Sequence, residues 1–134
     1  MPELQKFQSQ ITFLYLKELQ PAVAFFETIL KLEKIDDQGW AVIYRVGTDS
    51  FIGAVAGENA FKKPQDDSAV LVTLCVNDVL GWYAWLKSQG VKILREPVAR
   101  PDNQVHCFFF EGPGGYAFEI QEFMNPEKAR IFHT

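Results

Sequence analysis

The sequence predicts an α+β fold built from two successive βαβββ modules within 134 residues. Three observations predict it. The stretches Ile11–Phe26 (ITFLYLKELQPAVAFF) and Leu71–Leu86 (LVTLCVNDVLGWYAWL) follow the same order of residue types. Each passes from a strand-like run into a helical one and is followed by three more strand-like runs. A polar segment holding Pro64 separates the two copies.

The copies run at an offset of 60, which aligns Leu14 with Leu74, Leu16 with Val76, Glu18 with Asp78, Ala24 with Ala84 and Phe25 with Trp85. Self-similarity at such a period marks a repeated supersecondary unit. Ile11–Leu16 and Val70–Val76 open the copies, with the β-branched and apolar content of strands buried on both faces. Pro21 suits a first helical turn, where its missing N–H costs nothing. Asn77 or Asp78 can cap the second helix. Ala22, Phe25, Phe26 and Ile29 recur at helical spacing, as do Val79, Trp82, Tyr83 and Leu86. Gly90 suits the residue just past the second helix. Further strands are predicted near Leu32–Ile35, Trp40–Val46 and Ser50–Ala56, and near Val91–Glu96, Val105–Glu111 and Tyr116–Phe123. Gly47–Asp49 and Gly112–Gly115 read as turns. The modules span about 10–57 and 69–123, the linker about 58–68 and the tail 124–134, which reads equally as helical or disordered.

Composition bounds the function. Hydrophobic residues make up 48%, with 12 phenylalanines, enough for a real core in one compact domain or in two half-size modules that share one. The formal net charge is −4, and Lys62, Lys63, Arg95 and Arg100 are scattered, so no basic face for nucleic acid is expected. The polar start and the shortness of the apolar runs predict neither a signal peptide nor a membrane span, and hence a cytoplasmic protein. Cys75 and Cys107 read as buried free thiols rather than as a disulfide framework.

The segment LKELQPAVAFFETILKL resembles the start of a module in the vicinal oxygen chelate superfamily, which takes in glyoxalases, bleomycin resistance proteins and extradiol dioxygenases. FFFEGPGGYAFEIQEF is similar to the close of the second module there. The resemblance covers roughly Gln10–Phe123 and implies a glyoxalase-like fold, a curved, partly open mixed sheet around a cleft. It also implies a homodimer. Metal-dependent members take ligands from the first and last strands of each module. Those positions fall here on Ile11, Gly53, Leu71 and Glu119, and only Glu119 has a side-chain ligand atom. A catalytic divalent metal needs about three suitable ligands, so no metal and no other cofactor is expected. Of the two histidines, His133 falls in the tail and His106 in a strand that carries no family ligand. Lys31 also departs from the pattern, standing where a glycine commonly ends the first helix.

Strand alternation places Phe13 and Tyr15 on one face, Thr73 and Cys75 on its counterpart, and Glu119 and Gln121 together on the last strand. These six are the candidate ligand-binding residues of an apolar, aromatic-lined cleft. Glu119 is also the candidate catalytic group, a carboxylate placed to take a proton. Buried, it would need a partner such as Tyr15, Gln121 or a backbone donor. Two functions follow. One is metal-independent binding of a small organic molecule. The other is lyase, isomerase or dioxygenase chemistry through Glu119. The expectation that no Arg or Lys is positioned on these faces favours binding, because an enediolate without a metal needs other donors.

Overall fold

A computed structural model describes residues 3–102 and 104–133. The chain divides into two compact units, Met1–Pro64 and Gln65–Thr134, and the division falls inside the polar linker. The first unit runs β1 (Gln10–Tyr15), α1 (Gln20–Ala24), a π-helical turn (Phe25–Ile29), β2 (Glu33–Asp37), β3 (Ala41–Arg45) and β4 (Ser50–Val55). The second runs β5 (Leu71–Cys75), α2 (Val79–Ser88), β6 (Ile93–Arg100), β7 (Val105–Glu111) and β8 (Ala117–Phe123), then α3 (Pro126–Phe132). Each unit holds a four-stranded mixed sheet, ordered β1-β4-β3-β2 in one and β5-β8-β7-β6 in the other. In both, the first strand pairs parallel with the last and the remaining pairs are antiparallel. The predicted α+β class and the βαβββ order are therefore present in each half.

The helix-bearing face of each sheet holds the core. In the first unit Leu14, Leu16, Val42, Tyr44, Ile52 and Ala54 are buried with Ala22, Phe26 and Leu30. Phe26 meets Tyr44 at 5.4 Å between ring centroids. The Tyr44 hydroxyl donates to Glu27 Oε2 at 2.7 Å, and Lys34 Nζ lies 3.5 Å from the same carboxylate oxygen. Burial, and then the Glu27 carboxylate, push the Tyr44 hydroxyl well above its ordinary 10.0. In the second unit α2 packs on β6, β7 and β8. There Tyr83 abuts Phe108 at 5.3 Å, and Phe110 stacks on Phe118 at 5.3 Å. Each buried ring removes roughly 2 kcal/mol worth of apolar surface from water.

Burial of the first strands on both faces does not occur. Leu14 is 1% exposed on the helix face, whereas Ile11 and Phe13 on the opposite face of β1 are 41% exposed. On β5, Leu71 is 49% exposed. Apolar runs signalled double burial, but both strands lie at sheet edges and only one face carries a helix. Strand β6 also outruns its predicted end at Glu96 and continues through Pro97 to Arg100. Proline is tolerated there because β6 is an edge strand, and its pairing with β7 shifts register twice, between Ile93 and Arg95 and between Arg95 and Val98.

The tail resolves in favour of a helix. Asn125 caps α3 by accepting from the N–H groups of Glu127 at 2.9 Å and Lys128 at 3.2 Å. Phe132 stacks on Phe123 at 4.4 Å, and the Phe123 N–H donates to His133 Nε2 at 3.1 Å. His133 thus closes the end of β8.

The helix ends explain how the two copies differ. Asp78 caps α2, accepting from the Gly81 N–H at 3.0 Å. The helix stops at Gly90, whose φ of 77° lies in the left-handed region, with the Val91 N–H bonded back to Leu86 O at 3.1 Å. In the first copy Lys31 takes that role at φ 57°, and the Leu32 N–H returns to Phe26 O at 2.9 Å. Strand residues align at an offset of 60 (Ile11 with Leu71), but these end residues align at 59 (Lys31 with Gly90). The N-caps Leu19 and Asp78 already stand at 59 and the two helical spans are equal in length, so the extra residue of the first copy lies in the turn between β1 and the helix. A left-handed non-glycine costs about 1 kcal/mol relative to glycine. Lys31→Gly is therefore expected to stabilise the fold by up to about 1 kcal/mol and Gly90→Ala to destabilise it by at least that much. Urea unfolding of both variants beside the parent protein checks the opposite signs.

Candidate functional site

In the first unit the face away from the helix carries Ile11, Phe13 and Tyr15 of β1, Phe51, Gly53 and Val55 of β4, and Ala41, Ile43 and Arg45 of β3. The register sets them in rows. Tyr15 is opposite Val55, which is opposite Ala41; Phe13 is opposite Gly53, which is opposite Ile43. The small side chains of the first row leave space between the aromatic groups at its ends. The result is a hollow of about 170 Å³ lined by Phe13, Tyr15, Gln38, Trp40, Ala41, Ile43 and Val55. Gln38 and Trp40 come from the β2–β3 hairpin. There Gly39 adopts φ 87°, its N–H bonds Asp37 Oδ1 at 2.9 Å, and Gln38 N–H reaches Ala41 O at 2.8 Å. The Gln38 amide nitrogen donates to Asp36 Oδ2 at 2.9 Å, which fixes the amide's orientation. No lining residue is charged. Phe13 and Tyr15 were readable from alternation. Trp40 was placed within a strand, and it lies instead in the hairpin, 53% exposed.

The second unit presents a polar counterpart. Thr73 is opposite Glu119, which is opposite Phe109; Cys75 is opposite Gln121, which is opposite Cys107. The four second-module candidates, Thr73, Cys75, Glu119 and Gln121, therefore share one face. Glu119 is the one buried charged residue among those described, 7% exposed. Its Oε1 accepts from the Thr73 hydroxyl at 2.7 Å. The expected donors were Tyr15, Gln121 or the backbone; the donor is instead the neighbouring strand's threonine, directly across the parallel pair. Cys107, opposite Gln121 and Val98, shares this face with Glu119 and with Arg100, which stands opposite Val105. Burial pushes its thiol above the ordinary 9.0, with Arg100 opposing and Glu119 adding to the rise. Cys75 is exposed rather than buried, because no helix covers this face. Its thiol is also raised, by desolvation first and the Glu119 charge second. His106, opposite Glu122 and Ala99, alternates with Cys107 and so lies on the helix-bearing side.

The expectation that no arginine is positioned on this face is wrong. Arg95 lies over the Phe109 ring at 5.3 Å, and Arg100 stands opposite Val105, on the same face as Cys107. The two bulges in β6 bring Arg95 and Arg100, five residues apart, to one face of the sheet.

The register also tests the inherited metal positions. Gly53 stands across from Phe13 as Glu119 stands across from Thr73. A Cβ on Gly53 would lie 2.4 Å from the Phe13 ring, so the ring occupies the space that a ligating side chain would need. Ile11 and Leu71 carry no donor atom, and the Glu119 carboxylate is engaged by Thr73. Among the described residues no three His, Cys, Asp or Glu side chains converge as a metal-binding group. The donors at these four positions do not fit a catalytic divalent ion.

Residues 8–120 match the model of the glyoxalase/bleomycin resistance protein/dioxygenase superfamily. No curated protein matches the sequence. Among solved structures, the chain is similar to a glyoxalase/bleomycin resistance protein/dioxygenase from Nocardioides (TM-score 0.73, 16% identity, 93% of this chain and 88% of that one). It is also similar to the fosfomycin resistance protein FosX from Listeria monocytogenes (0.70, 16%, 95% and 99%). A third similar structure is a lactoylglutathione lyase from Agrobacterium tumefaciens (0.62, 18%, 84% and 90%). At these identities the likeness is one of fold. No helix among the described residues is long and apolar enough to cross a membrane. Duplicated βαβββ units, parallel pairing of first and last strands and the family match over most of the chain lead to one conclusion: this chain belongs to the glyoxalase/bleomycin resistance protein/dioxygenase superfamily.

Proposed function

We propose that the chain binds a small organic molecule on the helix-free faces of its sheets, without a metal at the four inherited positions. The observation that carries this reading is the uncharged, three-aromatic hollow of the first unit. A volume near 170 Å³ matches one six-membered ring, since an apolar cavity of about 150 Å³ accepts benzene. Phe13, Tyr15 and Trp40 offer ring faces and edges, and aromatic pairs add about 0.5–1.5 kcal/mol beyond area burial. Phenol, used as the probe, is expected to perturb Trp40 fluorescence. Trp40→Ala should weaken its binding several-fold, up to about ten-fold. Unaltered phenol affinity in that variant would sink the assignment of the hollow.

The second reading is lyase, isomerase or dioxygenase chemistry through Glu119. It is favoured by the cations that share its face, since Arg95 and Arg100 are the donor type an oxyanion needs when no metal is present. Under this reading Glu119, with Thr73, Cys75 and Gln121, contacts a molecule bound on the second unit's open face. Glu119→Gln keeps an acceptor for Thr73 and is expected to preserve the fold while changing ligand affinity or its pH dependence. Glu119→Leu separates function from packing: higher stability with the binding of every screened molecule unaltered would make the carboxylate a relic.

The proposal extends to a homodimer. Ile11, Phe13, Val70 and Leu71 are each more than 40% exposed, more apolar surface than first strands ordinarily leave to water. Light scattering should return twice the chain mass; a monomer mass held across a wide concentration range would rule the dimer out.

A further inference from the structure

Edge-strand arginines ordinarily point to solvent and discourage strand pairing. Those of β6 do otherwise. Arg95 folds back onto the Phe109 ring, and Arg100, opposite Val105, stands on the same side as Cys107, so both belong to the helix-free face of the second unit. Among the described residues neither guanidinium is in ion-pair range of a carboxylate. Two acids belong to that face. Glu119 is engaged by Thr73, and Glu111 stands at its end, opposite Ala117. An aromatic face and a thiol are weak partners for a guanidinium, which carries five N–H donors suited to a planar or tetrahedral oxyanion. Along this face of β7 Cys107 falls between Val105, opposite Arg100, and Phe109, opposite Glu119, so the register sets cation and carboxylate on either side of the thiol.

From this arrangement we infer that the helix-free face of the second unit is a site for a small organic oxyanion. Arg100 and Arg95 receive the carboxylate or phosphoryl group, and Glu119 accepts a hydrogen bond from a hydroxyl on the same molecule. The inference names the ligand class within the small-molecule reading above and rests on it. Arg100 is the principal donor because its guanidinium has no ring laid against it among the described residues and its face carries the buried Cys107 and Glu119. Arg95, already laid on Phe109, steers and supports. The Thr73 bond leaves Glu119 further lone pairs, so it can accept from a ligand hydroxyl without releasing its own donor.

The test is amide NMR on the full chain at constant ionic strength, titrated with hydroxyacetate, methylphosphonate and the neutral ethane-1,2-diol. An anion is expected to shift the amides of Cys107, Phe109 and Glu119, and the diol is not. Whichever of the two anions binds more tightly identifies the oxyanion as carboxylate or phosphoryl. Arg100→Gln should weaken that binding roughly ten- to hundred-fold, as the loss of a charge-assisted bond does. Arg100→Lys should retain part of it. The inference is overturned if neither anion shifts those amides, if the diol shifts them equally, or if an Arg95→Gln/Arg100→Gln double variant binds the anions as the parent does. None of these probes carries a ring. Failure here therefore leaves phenol binding at Trp40 as a separate result, and failure of the Trp40 test leaves this one standing.

Discussion

The parallel pairing of first and last strands is the constraint on which the rest depends. It aligns β1 with β4 and β5 with β8, and parallel partners need a long crossover between them. The helix and two intervening strands supply that crossover; the strands extend the sheet and the helix covers one of its faces. The other face is left open, with its residues ordered in rows across the strands. Everything proposed about function is a reading of those rows. In the first unit Phe13, Gly53 and Ile43 fall in line, and Tyr15, Val55 and Ala41 in the next. In the second, Thr73, Glu119 and Phe109 are followed by Cys75, Gln121 and Cys107.

The two open faces have diverged in kind. One is mainly apolar and aromatic, with an uncharged hollow. The other holds a buried carboxylate, two thiols and two guanidiniums. The thiols are held above their ordinary range, and so stay neutral at physiological pH. The Thr73–Glu119 bond is the polar equivalent of the Phe13 ring on Gly53: each fills the same register position with side chains from the two parallel strands.

Much of this was legible in the sequence. The repeat disclosed the module, and strand alternation correctly grouped Thr73, Cys75, Glu119 and Gln121. Gly53 and Glu119, supplied by the family resemblance, stand opposite Phe13 and Thr73 at matching positions of the two modules. What escaped had local physical causes. The first copy carries one residue more in the turn between strand and helix, which a constant offset of 60 does not disclose. Arg100 lies beyond the predicted end of its strand, and two bulges in β6 bring it to the same face as Arg95. Apolar content in β1 and β5 was taken as double burial, because composition does not say which face lacks a cover. Trp40 read as strand because tryptophan favours strands, whereas Gly39 and the Asp37 carboxylate turn the chain just before it.

The ring of Phe13 over Gly53 bears on how this chain can change over time. A ligating side chain at 53 would collide with the ring while phenylalanine remains at 13. Shortening Phe13 first would uncover a glycine and open a void in the sheet face. Either single step disturbs the Phe13–Gly53 packing, and Ile11 and Leu71 would still lack a donor atom. A route to a metal centre at these positions thus crosses several unfavourable intermediates.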